Sequence, residues 1–473
     1  DAMPNTINVS YSIIDGGEGA AVIYIGDSLY WGSGNIDADP LFTNAANGDY
    51  TLQVSSPAVN AGNPNGFYND SDGSQNDMGY TGGNGIIVLY DRSWENIILN
   101  NSDINNIEFG YVGVGNAIEE YELFIYNCSQ NDISFTSYST TDDQFDTRFW
   151  YLENGTWPLV IPALANTFST GGYGMWLEYY PTTAGSHSAT VTLYSDNIPG
   201  SGYGTLGMSG IALDIPAGDI NVPAYAPTIQ TAIDIIAPGT SKTIVVAPGE
   251  YFESLVFNKW YVTLKSSAGP LQTIINGQQS YEASLVYVQA HNSIIDGFTI
   301  KNGTRGIDAY TGLDNLFKNL ILESNSNGFV FQSDTVENCV FKNNSGELRL
   351  SGKIDRQYSN IFRNVTIAGN NDDFKININH QHQNQSNYWD VLFFNSVLFF
   401  DNNDVFDIST ESGNYPISPR LHIENCLLSF TEADLNNENE NDILDIYWDD
   451  NNLTSYPYFN DPDNGDYSLS SYS

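Results

Sequence analysis

Asparagine and aspartate recur along the second half of this chain as pairs six residues apart, and each pair encloses a short strand of alternating apolar residues. The pairs are Asp296/Asn302, Asn319/Asn325, Asn338/Asn344, Asn364/Asn370 and Asn395/Asp401. Their first members lie 23, 19, 26 and 31 residues apart, and Asn425 follows 30 residues later. One strand per recurrence, stacked on its equivalents about 4.8 Å away, predicts a parallel β-helix over residues 220–473.

The first members of these pairs suit sharp corners. Asparagine tolerates the left-handed backbone conformation, and its amide can bond the asparagine of the next coil. We therefore expect a structural ladder formed by Asn319, Asn338, Asn364, Asn395 and Asn425. In this interpretation the asparagines turn corners and do no chemistry.

A short helix is predicted ahead of the strands. Apolar residues at 229, 232, 233 and 236 follow helical spacing, Thr228 suits an N-cap, and Pro238-Gly239 ends the pattern. A helix in this position is typical of a cap over the first coil of a solenoid.

This opening resembles that of right-handed β-helix proteins related to the pectin methylesterases. The resemblance is carried by Val222-Pro223, Pro227 to Gln230, Ala232-Ile233, Val246 to Tyr251 and Glu253. It implies an all-β fold with a right-handed parallel β-helix. No segment matches that family's catalytic aspartate motif, so the resemblance is specific for fold and weak for activity.

The two ends of the chain are related to each other. Shifted by 417 positions, residues 422–473 align with residues 5–56 without a gap, with thirteen identities in 52 positions. A long internal period is typical of a tandem array. The sequence therefore predicts one full unit plus an overlap, taken from a longer repeating protein.

Residues 1–85 accordingly read as the last coils of a preceding β-helix, with Asn8 in the position of Asn425. We expect the open coil of residues 1–56 to be covered by preceding sequence or by a neighbouring molecule. Farther on, Asp70, Asp72, Asn76 and Asp77 surround a glycine with alternating oxygen donors, which suits calcium. A solvated turn rich in Asp and Asn is the alternative.

Residues 86–213 show no helical period and many short alternating strands, at 86–89, 97–99, 121–126, 175–180, 189–194 and 206–213. About 125 residues of this kind predict a β-sandwich. The segment resembles the Hydin-type immunoglobulin-like domains of bacterial surface proteins through residues 109–115, 179–185, 192–197 and 208–212. The resemblance implies a spacer or binding module.

The net charge of the chain limits the classes of partner that it is expected to bind. Lys+Arg total 15 against 57 Asp+Glu, a net charge of −42, which disfavours nucleic acid and anionic lipid and attracts divalent cations. Of the Lys and Arg residues, only Arg92 and Arg148 precede residue 220. No apolar run approaches the length of a membrane span, so no membrane insertion is expected in this segment. The three cysteines are too scattered for a disulfide framework.

The search for catalytic residues yields two weak patterns. A basic cluster, Arg349, Lys353, Arg356 and Arg363, lies near Glu347 and Asp355. Arg349 and Ser351 alternate on a strand and could face one way, so a polysaccharide lyase site stays open beside balanced surface charge. His380 and His382 would share a strand face as a metal pair, or lie in an exposed loop.

Aromatic residues make up 13% of the chain and cluster at 149–151, 388–389 and 393–400. They suit a core, a contact between units or carbohydrate stacking. The sequence thus predicts a structural or adhesive extracellular protein of a bacterial surface, one unit of an array that forms a stalk or filament, with neighbouring copies or repeats as partners. No enzyme activity is expected. The alternative is a secreted polysaccharide-binding or polysaccharide-degrading protein.

Overall fold

The structure is a computed structural model of the 473-residue chain. It describes residues 6–23, 28–47, 49–64, 74–79, 87–90, 96–98, 106–116, 120–127, 132–149, 157–161, 173–195, 204–278, 284–351, 359–371, 373–380, 390–400, 405–410, 420–439, 444–462 and 466–471. The chain separates into two compact units, residues 1–213 and 214–473.

The first unit opens with two small sheets. Strands β1 (Thr6–Val9) and β2 (Ser28–Trp31) pair in parallel, and β3 (Phe42–Asn44) pairs antiparallel with β4 (Asp49–Leu52). Two 3-10 turns, Gly17–Ala20 and Ala45–Asn47, lie between these strands. A parallel pair of this kind is a fragment of a stack of coils and not a hairpin, because parallel strands need a crossover connection.

Residues 87–213 form a β-sandwich of two five-stranded sheets. One sheet has the order β10 (Phe145–Phe149), β12 (Tyr173–Tyr179), β8 (Glu120–Asn127), β5 (Ile87–Tyr90), β6 (Asn96–Ile98). The other has the order β11 (Leu159–Ile161), β9 (Ile133–Thr140), β13 (Gly185–Ser195), β14 (Gly204–Leu213), β7 (Asn106–Gly113). All pairs are antiparallel except β14 with β7.

Side chains from both sheets fill one core, which defines the sandwich. Phe145 and Tyr179 of the first sheet stack with ring centroids 4.5 Å apart, and Phe135 and Met208 of the second sheet are fully buried in the same cluster. The alternating exposure along β10 shows how its sequence places Phe145 and Phe149 inward. The predicted sandwich is confirmed, and its immunoglobulin-like class stays a prediction.

The second unit is a parallel β-helix, as predicted. Sheet one contains β15 (Ile220–Val222), β16 (Lys242–Val246), β19 (Val262–Ser266), β22 (Ile294–Asp296), β25 (Leu316–Lys318), β28 (Thr335–Glu337), β31 (Ser359–Arg363), β34 (Asp390–Phe394), β37 (Arg420–Glu424) and β39 (Asp445–Trp448). Sheet two contains β17 (Gly249–Tyr251), β20 (Thr273–Asn276), β23 (Thr299–Lys301), β26 (Ile321–Glu323), β29 (Val340–Lys342), β32 (Thr366–Ile367), β35 (Val397–Leu398) and β38 (Leu427–Leu428).

Sheet three completes the coil with β18 (Leu255–Phe257), β21 (Val286–Val288), β24 (Ile307–Asp308), β27 (Phe329–Gln332), β30 (Glu347–Ser351), β33 (Lys375–His380) and β36 (Phe406–Thr410). The chain visits the three sheets in turn, so each of the seven complete coils, or rungs, from β16–β18 to β34–β36, contributes one strand to each sheet. Neighbouring rungs pair in parallel throughout. A final hairpin, β40 (Phe459–Asp461) with β41 (Asp466–Leu469), follows the last rung.

The predicted helix caps the first rung. Helix α1 spans Ile229–Asp234, and the Thr228 hydroxyl accepts a hydrogen bond from the Thr231 amide, as an N-cap does. The Glu253 carboxylate also accepts from the first two helical amides, at 3.0 Å each. The helix packs against β15, β16 and β18. A second helix, α2 (Glu432–Glu438), was not predicted and begins at a capping box of Thr431 and Asp434.

Phenylalanine fills the interior of the β-helix. Phe317, Phe331, Phe362 and Phe393 are fully buried and follow one another with ring centroids 5.1, 6.0 and 4.9 Å apart. Of the predicted aromatic clusters, Phe393 therefore belongs to the core. Residues 150–151 and 388–389 lie outside the described residues.

We expect Phe331→Ala to lower the free energy of unfolding of the β-helix by about 3–5 kcal/mol, because it leaves a cavity between two other rings. Urea unfolding followed by tryptophan fluorescence measures this loss. The control is Phe252→Ala, at a side chain that is 57% exposed, which should cost less than about 1 kcal/mol. Equal losses for both variants would contradict the packing described.

Candidate functional site

The five ladder asparagines all lie at the same corner, between a strand of sheet one and a strand of sheet two. Asn319, Asn338, Asn364, Asn395 and Asn425 have φ angles of 54°, 53°, 54°, 48° and 52°. Asn338 donates from Nδ2 to Asn319 Oδ1 at 3.4 Å, and Asn364 donates to Asn338 Oδ1 at 3.2 Å. The ladder turns the chain and bonds adjacent rungs, so it offers no reactive group.

The second members Asn325, Asn344 and Asn370 have a different place from the ladder. Asn325 and Asn344 are 1% and 0% exposed, and each uses its side chain inside the coil. The backbone N–H of Asn325 donates to Asn344 Oδ1, and the backbone N–H of Asn344 donates to Asn370 Oδ1, both at 3.0 Å. Each buried amide oxygen thus satisfies a backbone group of the neighbouring rung.

A third polar column precedes the strands of sheet one and was missed by sequence reasoning. It contains Ser293, Asn315, Asp334 and Asn360. Asp334 is fully buried, and its two carboxylate oxygens accept from the amides of Asn315 at 2.9 Å and Gln332 at 3.2 Å. Burial raises the pKa of Asp334 well above its usual range. Aligning the residue before each strand of sheet one would have revealed the column.

Basic residues on the outside of the β-helix stand next to acids of the adjacent rung. On sheet one, Lys265, Asp296, Lys318, Glu337 and Arg363 occupy one column in register. Lys318 Nζ lies 3.4 Å from Asp296 Oδ2, and Arg363 Nη1 lies 3.9 Å from Glu337 Oε1. Alternating signs avoid like-charge repulsion between strands. Arg363, a member of the predicted basic cluster, therefore belongs to this column.

The outer face of sheet three carries a cluster of polar side chains, several of which are buried. We define the sheet-three face as Asp308, Gln332, Glu347, Arg349, Ser351, Asn377 and Asp407. Their strands pair in register, so Asp308, Arg349, Asn377 and Asp407 share one column. As predicted, Arg349 and Ser351 point the same way, since Leu348 and Leu350, on either side of Arg349, are buried in the core.

Each acid on the sheet-three face has a partner. Asp308 accepts from Arg305 at 2.6 Å, Glu347 from Arg349 at 3.1 Å, and Asp407 from the Asn377 amide nitrogen at 3.1 Å. The acids are thus held by cations or amides.

Among the described residues, three buried polar atoms of this region have no hydrogen-bond partner: Arg305 Nε, Ser351 Oγ and Asn377 Oδ1. Ser351 is 1% exposed and Asn377 is 5% exposed, despite lying on the outer side of the sheet. Buried polar atoms without partners are rare and each requires an explanation. These three atoms are shielded from solvent and lie on separate rungs, so the groups of this face that a ligand can reach are the half-exposed Arg349 and Glu347.

Other predicted positions contribute less. Lys353, Asp355 and Arg356 lie outside the described residues. The side chain of His380 and all of His382 do too, so the metal pair is not described.

Of the predicted calcium ligands, Asp70 and Asp72 lie outside the described residues. Asp77 Oδ1 accepts from the Asn60 amide at 2.8 Å, and the Asn76 carbonyl accepts from the Gly62 amide at 2.8 Å. Within the part of the chain that the structure describes, no group of three His, Cys, Asp or Glu side chains could hold a metal ion. Calcium stays a prediction.

The described cysteines are inert. Cys339 and Cys426 are buried free thiols, and burial raises their pKa to about 12 and about 11. A thiol that stays protonated at neutral pH is a poor nucleophile and a poor metal ligand.

The two ends of the chain repeat the same geometry. Strands β2, β3 and β4 match β39, β40 and β41 at a shift of 417 residues. Leu41 and Tyr458, one residue before the matching strands, both have positive φ, 51° and 42°. Thr51 donates to Asp49 and Ser468 donates to Asp466 through their side chains, at 2.6 Å in both copies. These bonds lower the pKa of both aspartates.

The predicted position of Asn8 is wrong by three residues. Tyr11, with φ of 49°, takes the corner that Asn425 takes with φ of 52°. Val9 pairs with Trp31 as Ile423 pairs with Trp448. The shift is therefore 414 residues up to Ile14 and 417 residues from β2 onward. The connection that contains the 3-10 turn in the first copy contains the longer α2 in the second.

The same interior bonds follow this corrected alignment. Asn35 Nδ2 donates to the Val9 carbonyl at 2.8 Å, and Asn452 Nδ2 donates to the Ile423 carbonyl at 2.7 Å. The two segments are therefore copies in backbone bonding as well as in sequence.

Comparison with known proteins finds one partial relative and weak structural similarity. No family model matches. A cell surface glycoprotein of Methanothermus fervidus is 37% identical over 102 residues, which are 22% of this chain and 16% of that protein. The match thus spans a small part of the relative's length. Among the described residues, neither helix is long and apolar enough to cross a membrane.

The solved structures with similar coordinates include two pectin methylesterases. PemA from Erwinia chrysanthemi is 12% identical, with a TM-score of 0.28, over 54% of this chain and 99% of that one. The carrot enzyme is 11% identical, with a TM-score of 0.28, over 51% and 89%. WR4, an MSP family member of C. elegans, is 10% identical, with a TM-score of 0.15, over 22% and 92%. At such low scores, the fold is established by the strand pairing above.

The buried carboxyl of Asp334 predicts a pH dependence. Its pKa in the folded state lies above the ordinary 3.8, so its contribution to stability is complete below that value and is lost as pH rises through the folded pKa. We expect Asp334→Asn to raise the free energy of unfolding at pH 7, with the gain shrinking toward pH 3.5. Urea titrations of both proteins across this range measure it, and a gain independent of pH would contradict the assignment.

Proposed function

We propose that this chain is a structural part of a cell-surface protein in which β-helix and sandwich segments recur with a period of about 417 residues. The observation that carries the proposal is the repetition of the end rungs, in sequence and in hydrogen bonding. A chain that repeats its closing rungs is built by recurrence of units, as arrays are.

Two further observations support this function. The segment of similarity to a protein described as a cell surface glycoprotein suggests the same location. The acids of the sheet-three face are neutralised by partners, which favours a binding or structural surface over catalysis. In this proposal the β-helix supplies stiffness, because its backbone bonds join every rung to the next. The sandwich, which we propose to be of the Hydin type, acts as a spacer in a stalk or filament.

The location is tested with antibodies raised against residues 214–473 and applied to intact cells that make the protein. We expect labelling without permeabilisation and no increase after it. Treatment of the same intact cells with protease should release fragments whose lengths differ by about one repeat, as measured by mass spectrometry. A cytoplasmic marker antibody is the control. Labelling only after permeabilisation would reject the surface location.

The sheet-three face favours carbohydrate binding as a second candidate function. The Arg349 side chain is 41% exposed, and its guanidinium could bond an acidic or hydroxyl group of a polysaccharide. Sheet three is thus the part of this chain where a polysaccharide would bind.

For a polysaccharide that the chain retains in a binding screen, we expect Arg349→Ala to raise the dissociation constant about two- to tenfold, since a charge-assisted hydrogen bond is lost. Arg363→Ala, on sheet one, is the matched control and should leave affinity unchanged. Isothermal titration calorimetry measures both. Absence of any retained polysaccharide, or equal weakening by the control, would reject this candidate.

A further inference from the structure

Residues that are buried in the second copy of the end rungs are exposed in the first. Leu421 of β37 is 0% exposed, whereas its counterpart Ile7 of β1 is 48% exposed. Ile423 is likewise fully buried, and its counterpart Val9 is only half-buried. The sequence keeps these positions apolar in both copies, so the first copy carries core residues without a complete core.

The reason lies in the neighbouring rung. In the second copy, β37 pairs with β34 on one side and β39 on the other. Val391 and Phe393 of β34, both fully buried, stand in register beside Leu421 and Ile423. Strand β1 pairs with β2 alone within the described residues. Its other edge therefore presents unpaired backbone groups.

The closing hairpin shows the same difference. In the second copy, Phe459 and Tyr467 pack against Ala368 and Val397 of the rungs above. Tyr467 sits so close to Gly369 that a Cβ there would lie 1.7 Å from its hydroxyl. In the first copy Phe42 and Tyr50 form the same edge-on ring pair, at 5.3 Å, yet Tyr50 is 51% exposed.

We propose that the β1 edge, with Ile7, Val9, Phe42 and Tyr50, is a docking surface for the end of a β-helix of this chain's own kind. The occupant is a pair of rungs with the chemistry of residues 359–400, and their last sheet-one strand pairs with β1 as β34 pairs with β37. An apolar pair like Val391 and Phe393 lies beside Ile7 and Val9. This deepens the proposed function and rests on it, since an array would supply such rungs.

A complete second copy of this chain does not fit as the occupant. Its own β34 is already paired on the relevant side by β37. Its Ala368 and Val397 are already covered by Phe459. The surface therefore selects rungs that lack closing strands of their own, and recognises them by strand addition and by matched apolar columns.

The test extends the full chain. A copy of residues 214–419 is placed directly before Thr6, the residue that corresponds to Arg420. Hydrogen exchange at the Asn8 amide should slow at least about tenfold relative to the original chain, because this amide faces away from β2 and gains a strand partner. Tyr50 should lose its reactivity toward nitration, as measured by mass spectrometry.

Two variants of the added segment, at neighbouring positions of one strand, serve as test and control. Phe393→Asp, at an inward position, should restore fast exchange and nitration, whereas Leu392→Asp, its outward-facing neighbour on the same strand, should preserve the protection. Unchanged exchange in the extended chain would overturn the proposal. So would concentration-dependent protection of the original chain, which would show that a second copy occupies the surface.

This outcome is independent of the surface labelling described above. Protection without labelling of intact cells keeps the docking surface and rejects the cell-surface role. Labelling without protection does the reverse.

Discussion

Parallel strand pairing in strict register is the constraint on which the β-helix depends. Each strand bonds the equivalent strand of the next rung about 4.8 Å away, so every side chain stands beside the same position of its neighbours. Apolar columns then fill the interior, asparagine columns satisfy the corners, and charged columns alternate in sign. With a net charge of −42, the chain places Lys and Arg where a column would otherwise bring two acids together.

Much of this architecture could be predicted because stacking leaves a trace in the sequence. The spacing of Asn319, Asn338 and Asn364 indicated the corner, since asparagine is favoured where φ is positive. The buried column around Asp334 left a weaker trace, because Ser, Asn and Asp alternate in it. In the sandwich, β10 alternates inward and outward residues over five positions. The sequence analysis nevertheless did not predict this strand, since its two outward positions, Asp146 and Arg148, are charged.

The misplacement of Asn8 has a physical origin. Identity over the whole segment is governed by the strongly similar closing hairpin, which fixed the shift at 417. A connection that can hold either a 3-10 turn or α2 absorbs three residues without altering the strands around it. The sheet-three face was only half predictable for a related reason. Arg349 and Ser351 share a strand, but Asn377 and Asp407 join them through register across connections of unequal length.

Connections of unequal length join sheet two to sheet three and sheet three to sheet one, whereas the corner between sheets one and two is nearly constant. Between sheets one and two, the turn keeps two residues in rung after rung, as at 338–339, 364–365, 395–396 and 425–426. Between sheets three and one it grows from residues 333–334 to residues 352–358, 381–389 and 411–419. Insertions at that edge leave the ladder of the opposite corner untouched. Mutation can therefore vary what this edge displays while the scaffold beneath keeps its hydrogen bonds, which makes it the natural place for the protein to diverge.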